Sequence, residues 1–227
     1  MEDGGILRAQ MVDGLRERGA LTDVRVEQAL RAVPRHRFLP GVALAEAYAD
    51  HAVVVKRAGG GTPLSSASQP AMVAAMLEAL QVGPGHRVLE IGAGTGYNAA
   101  LLGALVRPGG EVVTVELEAD LADRAAAALA ETGVERVQVV RGDGAEGYPP
   151  GAPYDRIIVT VGAPDLERAW TEQLVEGGRV VAPVVGRDGI GSVVVVDKVG
   201  GALQRRSEVP CGFLLMRGTS STPPTTC

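Results

Sequence analysis

The chain has 227 residues, of which 46% are apolar and 22% charged, and its formal net charge is −5. This length suits one domain, or one domain with a small added lobe. Acidic and basic residues are interspersed, which argues against nonspecific nucleic-acid binding, because such binding needs a basic stripe. No apolar run reaches the roughly 18 residues of a membrane span.

The N-terminus and the rare residue types narrow the expectation further. The beginning, MEDGG, lacks the apolar region of a signal peptide, so we expect a cytoplasmic protein. Cys211, Cys227 and three scattered histidines predict neither a disulfide framework nor a metal site. We expect a monomer, with neither nucleic acid nor a membrane as its partner.

The N-terminal third begins with two amphipathic patterns. They predict helices over residues 6–18 and 22–33, with Thr22 as the N-cap of the second and Pro34 as its end. The following stretch is irregular apart from a short apolar run. Residues 57–70 are rich in Gly, Ser, Thr and Pro, a composition that predicts a mobile loop and a candidate lid.

A helix follows this loop. Pro70 fits its first turn, and Ser68 or Gln69 lies near its N-cap. Ser68 could therefore serve only as a cap, although a cap and a functional role can coexist. The apolar face of this helix, which extends to Leu80, consists of Met72, Val73, Met76, Leu77 and Leu80.

From residue 83 onward, strand-like and helix-like runs alternate, which predicts a doubly wound, mostly parallel α/β sheet. The short glycine-containing loops at 186–189 and 200–201 leave no room for crossover helices, so the C-terminal edge should be antiparallel. We expect N-terminal helices and a lid over 1–82, the sheet core over 83–217 and a disordered tail over 218–227. The predicted strands are 87–91, 111–116, 136–140, 155–160, 178–184 and 191–197, and the predicted helices are 97–106, 118–131 and 165–175.

The most informative segment is VLEIGAGTGY, in which a strand-like run leads into three glycines and then a helix. Gly92, Gly94 and Gly96 allow a tight turn and a close approach to a ligand. Glu116 closes the next apolar run, about 20 residues later, the offset expected for a carboxylate that holds ribose hydroxyls. This pattern predicts an adenosine-containing cofactor, and the alternative is a glycine turn without a ligand.

The spacing favours S-adenosylmethionine over a dinucleotide. Tyr97 stands where the third glycine of a dinucleotide fingerprint would fall, and it crowds the pyrophosphate position. Glu90 would repel a phosphate but could pair with a cationic ligand. A Walker loop is excluded because no Gly-Lys-Ser/Thr follows. Asp143, Gly144 and Thr160 lie at the ends of later strands, where ligands of such sheets bind.

The chain resembles the protein-L-isoaspartate O-methyltransferases. The SxSQP loop and the strand ending IIVT are more specific than the glycine motif, which many methyltransferases share. The matching stretches are VPRHRFLP (33–40), AYAD (47–50), SASQP (66–70), VLEIGAGTGYNAA (88–100), GDGAEGYP (142–149), APYDRIIVT (152–160) and LVEGGRVVAPV (174–184).

The resemblance implies a complete reaction. S-adenosylmethionine would donate a methyl group to the free carboxylate of an isoaspartyl residue in a peptide or protein, and the ester would collapse to a succinimide. Ser68 would lie near the transfer point, with Ser66 and Gln69 on the substrate side. The implied cofactor residues are Glu90, Gly92, Gly94, Gly96, Glu116, Asp143, Gly144 and Thr160. A carboxylate with a pKa near ~4 is already ionised at neutral pH, so no general base is required.

Three other functions stay open. The loop from Gly61 to Ser68 departs from the family's Gly-x-Thr-Ile-Ser pattern and looks closer to relatives that esterify one aspartate of a ribosomally made peptide. Many of those relatives carry a long C-terminal domain, so the tailoring function leads us to expect either a relative without that domain or a sequence from which it has been removed. An NAD(P)-dependent oxidoreductase is disfavoured by Tyr97 and by the lack of a Tyr-x-x-x-Lys pair. A noncatalytic adenosine-binding module would bind the cofactor without turnover.

Overall fold

The computed structural model describes residues 3–218, so the predicted tail lies outside the described residues beyond Gly218. Helices α1 (Gly4–Glu17) and α2 (Val24–Ala32) form close to the predicted ranges. Thr22 does not cap α2. Asp23 does, because its carboxylate accepts hydrogen bonds from two backbone N–H groups of the first turn, and the Thr22 hydroxyl donates to Glu78 instead.

The segment predicted as a loop over 57–70 contains a strand at Pro63–Ala67, so the prediction was wrong for those residues. After a 3-10 turn (Arg35–Phe38) and α3 (Leu44–Tyr48), strands β1 (Val53–Arg57) and β2 (Pro63–Ala67) pair as an antiparallel hairpin. The pairing places Val53 opposite Ala67, and both side chains are buried. A Gly- and Ser-rich composition is not typical of a strand, and β2 forms because it pairs with β1 more than because of its own residues.

Helix α4 (Pro70–Leu80) has the predicted bounds, but Ser68 does not cap it. Gln69 occupies the N-cap position without a side-chain capping bond. Instead the Asp50 carboxylate accepts a 2.9 Å hydrogen bond from the backbone N–H of Ala71. An acceptor from a distant segment thus satisfies the orphan donor of the first turn.

The main sheet has seven strands in the order β5-β4-β3-β6-β7-β8-β9, which confirms the predicted fold class. Strands β3 to β7 are parallel, and β7, β8 and β9 form the antiparallel edge. The helix predicted over 165–175 forms only across Arg168–Glu172, because the chain enters β7 at Leu174. The elements are β3 (Arg87–Ile91), α5 (Tyr97–Leu105), β4 (Glu111–Glu116), α6 (Ala119–Glu131), β5 (Val137–Arg141), β6 (Tyr154–Val159), α7 (Arg168–Glu172), β7 (Leu174–Val185), β8 (Ile190–Val199) and β9 (Ala202–Gly212).

Two hydrophobic clusters cover the two faces of the sheet. The larger one joins α1, α2, α4 and α5 to one face, so the N-terminal segment shares its core with the sheet. The smaller one packs α7, through the fully buried Trp170, against the other face. None of the helices within residues 3–218 combines the length and apolarity that crossing a bilayer demands.

Candidate active site

The turn after β3 is built from glycines that no other residue can replace without strain. Gly92 has φ +95°, and a Cβ atom there would lie 2.8 Å from the Thr160 hydroxyl oxygen. That hydroxyl donates to the carbonyls of Ile91 and Gly92 at 3.0 and 2.6 Å. Gly96 has φ +84° and packs against Ala125 of α6. Thr160 and Gly96 therefore fix the shape of the turn from its two sides.

Glu116 ends β4 beside this turn and is 7% exposed. Its carboxylate accepts hydrogen bonds from the backbone N–H of Gly94 at 2.8 Å and of Glu118 at 3.1 Å. The Gly94 N–H is thus directed at a carboxylate rather than left open for a phosphate. The remaining lone pairs of Glu116 can accept from ligand hydroxyl groups.

Glu90 lies beneath the turn and is fully buried. Asn98 and Thr114 donate hydrogen bonds of 2.7 and 2.6 Å to its carboxylate. Burial is the main cause that raises the pKa of Glu90 to about 7, and the charge of Glu116 adds to it. The Glu116 carboxylate beside the glycine turn therefore disfavours an anionic ligand and favours a cationic one, and Glu90 adds negative charge only as it loses its proton near pH 7.

A cavity of about 590 Å³ opens between the glycine turn, the β1–β2 hairpin and the segment after β9. This volume is in the range of small-molecule sites. Of the predicted residues, the cavity is lined by Ser66, Ser68, Gln69, Gly92, Gly94, Glu116, Gly144 and Thr160. Glu90, Gly96 and Asp143 are not among its lining residues within 3–218.

Asp143 and Gly144 follow β5. Asp143 accepts a 3.0 Å hydrogen bond from the Ala145 N–H, and its carboxylate lies against Gly218. Gly144 lines the cavity, and its carbonyl accepts a 2.7 Å bond from the Trp170 indole. The buried tryptophan thus holds the backbone in place where Gly144 lines the cavity.

The hairpin side carries the serines. The Ser68 carbonyl accepts a hydrogen bond from Arg35, while its hydroxyl makes none with any residue in the described range. The Gln69 side-chain amide donates to the Asp50 carbonyl at 3.2 Å. Ser68 therefore has a fixed backbone and a hydroxyl that a ligand can use.

Some residues that line the cavity were not predicted from the sequence, namely Asn98 and the segment 212–217. Asn98, in the first turn of α5, lines it while donating to Glu90. Its position just after the glycine motif is a signal that sequence reasoning overlooked. Residues 212–217, at the end of β9 and after it, also line the cavity, and no local sequence pattern predicts this long-range contact.

Ion pairs tie the hairpin to the cofactor side of the cavity. Lys56 of β1 pairs with Glu118 and Asp120 at the start of α6, and Arg217 pairs with Glu118 from the C-terminal segment. Hydrogen bonds from Lys56 and Arg217 lower the pKa of Glu118, which is about a quarter exposed. Because the Glu118 N–H also donates to Glu116, this network borders the candidate ribose site directly.

A family model described as protein-L-isoaspartate(D-aspartate) O-methyltransferase (PCMT) matches residues 7–220. The chain belongs to this family. It is thus an enzyme of the protein-L-isoaspartate O-methyltransferase family, and the family predicted from the sequence is confirmed.

Relatives of known sequence and structure agree. A protein-L-isoaspartate O-methyltransferase of Methanopyrus kandleri is 44% identical over 213 residues, covering 93% of this chain and 91% of the relative. One of Koribacter versatilis is 42% identical over 219 residues, covering 96% and 93%. A solved protein-L-isoaspartate O-methyltransferase structure superposes with a TM-score of 0.85 at 32% identity, covering 94% of this chain and 67% of that one. A Plasmodium falciparum structure in complex with S-adenosyl-L-homocysteine shares the fold, with a TM-score of 0.76 at 19% identity.

Proposed function

We propose that this protein transfers a methyl group from S-adenosylmethionine to the free carboxylate of L-isoaspartyl residues in proteins or peptides. The observation that carries the proposal is a single cavity with two unlike ends. One end has the glycine turn and Glu116, and the other has the serine-bearing hairpin with Ser68. Methyl transfer requires the methyl donor and the acceptor carboxylate to bind in the same cavity, and both sets of residues line this one.

The residues present fit S-adenosylmethionine. Gly92 and Gly94 would hold its methionine end, Glu116 its ribose hydroxyls and Gly144 its adenine, while Asp143, which accepts from the Ala145 N–H, would act on the adenine end through that backbone. Thr160, Gly96 and Glu90 would act on the turn itself, Thr160 also lining the cavity. When bound, this cofactor supplies a sulfonium methyl group that a carboxylate oxygen can accept, leaving a neutral thioether. The Glu116 carboxylate, which lines the cavity, favours such a cation over a pyrophosphate.

The acceptor chemistry needs positioning more than proton transfer. An aspartyl-type carboxylate is already ionised at neutral pH. Among the described residues that line the cavity there is no His, Lys or Cys. The chain's task is then to orient the carboxylate and exclude water, and the Ser68 hydroxyl and the hairpin backbone can do both. Ser66 and Gln69 would flank the peptide.

The proposal is tested by methyl transfer. Purified protein with labelled S-adenosylmethionine should form base-labile methyl groups on an isoaspartyl peptide and leave the matched aspartyl peptide unmodified. Methylation of one particular aspartyl peptide alone would assign the protein to peptide tailoring instead. Binding of NADH but not of S-adenosylhomocysteine would overturn both readings.

The role of Ser68 has its own test. Ser68→Ala should lower kcat by about tenfold, as expected for the loss of one transition-state hydrogen bond, while the affinity for S-adenosylhomocysteine stays unchanged. Ser207→Ala is the matched control, because Ser207 lies on the exposed strand β9. A large loss of cofactor affinity in Ser68→Ala would instead place the hydroxyl in the cofactor pocket.

We further propose that the enzyme acts in the cytoplasm as a monomer, with residues 1–82 covering the acceptor end and residues 83–217 carrying the cofactor. The net charge of −5 supports a peptide partner rather than a nucleic acid. Sedimentation equilibrium at assay concentrations tests the monomer directly.

A further inference from the structure

Arg35 is a charged residue buried at the acceptor end of the cavity. It is 0% exposed, although it belongs to the short 3-10 turn before α3. Its Nε donates to the Ala47 carbonyl and its Nη2 to the Ser68 carbonyl, both at 2.9 Å. Its Cζ lies 5.0 Å from the centre of the Tyr97 ring.

Arg35 has the Tyr97 ring beside its charge but no counter-ion among the described residues, and one of its nitrogens makes no hydrogen bond. Its Nη1 has no hydrogen-bond partner, and no carboxylate among residues 3–218 forms an ion pair with it. The Asp50 carboxylate, which influences Arg35 electrostatically, is bonded to Arg18 and to the Ala71 N–H. Burial lowers the pKa of Arg35, yet a guanidinium stays protonated at neutral pH.

Such a group is costly unless an anion joins it. A buried charge without a counter-ion destabilises a fold strongly, so its presence calls for compensation in the working state. Arg35 lines the cavity together with Ser68 and Tyr97. The Glu116 carboxylate in the same cavity is already engaged by two backbone N–H groups.

We propose that Arg35 gives the acceptor end of the cavity its preference for a carboxylate. Its positive charge attracts the ionised substrate group, and its bond to the Ser68 carbonyl holds the loop against which that group is placed. Arg35 is thus a positioning residue. The inference rests on the proposed function, because it names what selects the anion in the same site.

The test measures charge preference rather than activity alone. For each variant, the affinity for an isoaspartyl peptide is compared with that for the matched isoasparaginyl peptide, which carries a neutral carboxamide. Arg35→Met should reduce the preference for the carboxylate about tenfold, which corresponds to about 1.4 kcal/mol. Arg35→Lys should keep most of the preference, and the affinity for S-adenosylhomocysteine should stay within about twofold in both variants.

Arg25→Met is the matched control. Arg25 also donates to two backbone carbonyls, those of Val82 and Leu105, but it does not line the cavity. Its loss should leave the carboxylate preference intact. If Arg35→Met binds peptides more weakly but keeps the full preference, Arg35 is only a structural clamp and the proposal is wrong.

Two further outcomes keep the inference separable from the proposed function. If Arg35→Met does not fold, Arg35→Gln replaces it, because glutamine removes the charge while retaining a donor for the Ser68 carbonyl. Equal affinity of the wild-type protein for the isoaspartyl and isoasparaginyl peptides would also overturn the proposal. If the wild-type protein methylates the isoaspartyl peptide and the preference ignores Arg35, only this inference fails. If it methylates no isoaspartyl peptide, the proposed function fails.

Discussion

Glu90 makes the stability of the protein depend on pH in a predictable direction. Its carboxyl group is fully buried, and its pKa is raised from 4.5 to about 7. Between these two pH values the folded chain keeps a proton that the unfolded chain has lost. Stability must therefore fall as pH rises through this window, and the loss is complete above the folded pKa.

The size of this effect follows from the same two values. A rise from 4.5 to about 7, at about 1.36 kcal/mol per pH unit, corresponds to about 3 kcal/mol. Glu90→Gln keeps the shape and removes the charge. The Asn98 amide can still donate to the glutamine carbonyl, and the Thr114 hydroxyl can turn to accept from its amide. Relative to the wild-type protein, the variant should gain about 2–3 kcal/mol between pH 5 and pH 8.

Urea unfolding of both proteins at several pH values measures this difference. Trp170 is the single tryptophan and is fully buried, so its fluorescence reports unfolding. Other titrating groups, such as Asp197 with its pKa lowered to about 2 by Arg179, contribute equally to both proteins and cancel. A difference in unfolding free energy that stays constant from pH 5 to pH 8, or that changes with the opposite sign, would refute the reasoning.

Three further substitutions test separate parts of the site. Glu116→Gln should weaken binding of S-adenosylhomocysteine by about tenfold to a hundredfold, since a charged acceptor contributes about 1.5–3 kcal/mol; calorimetric titration measures this, and unchanged affinity would remove Glu116 from the cofactor site. Lys56→Met should speed dissociation of S-adenosylhomocysteine, because its pairing with Glu118 ties the hairpin to the cofactor side; stopped-flow measurement decides, and an unchanged rate means that the ion pair does not control exit. Trp170→Phe should destabilise the fold by about 1–3 kcal/mol, because the Gly144 carbonyl loses its buried donor; a thermal midpoint equal to that of the wild-type protein would contradict this.

The sheet core was predictable because its signals are local. Continuous apolar runs gave strands β3 to β8 within a few residues, and the glycine turn with Glu116 gave one end of the cavity. One helix and one strand separate Gly96 from Glu116. The number of residues between them was therefore enough to predict that both lie at the same end of the sheet. The short glycine loops likewise announced the antiparallel edge.

The acceptor end was less predictable because it depends on long-range contacts. The strand β2 exists through its pairing with β1, and neither run is distinctive alone. Asp50 caps α4, which begins 20 residues later in the chain, so Ser68 does not have the capping role that its position suggested. The burial of Arg35 could not be predicted, because the local sequence Arg-His-Arg is typical of an exposed segment and the residues that cover Arg35 are distant in the chain.

A crystal structure with S-adenosylhomocysteine and an isoaspartyl peptide bound tests the central claim most directly. The account predicts that both ligands share one cavity, with the ribose on Glu116 and the isoaspartyl carboxylate beside Ser68, facing the sulfur. A peptide bound on any other surface, or a cofactor whose ribose lies away from Glu116, would contradict it.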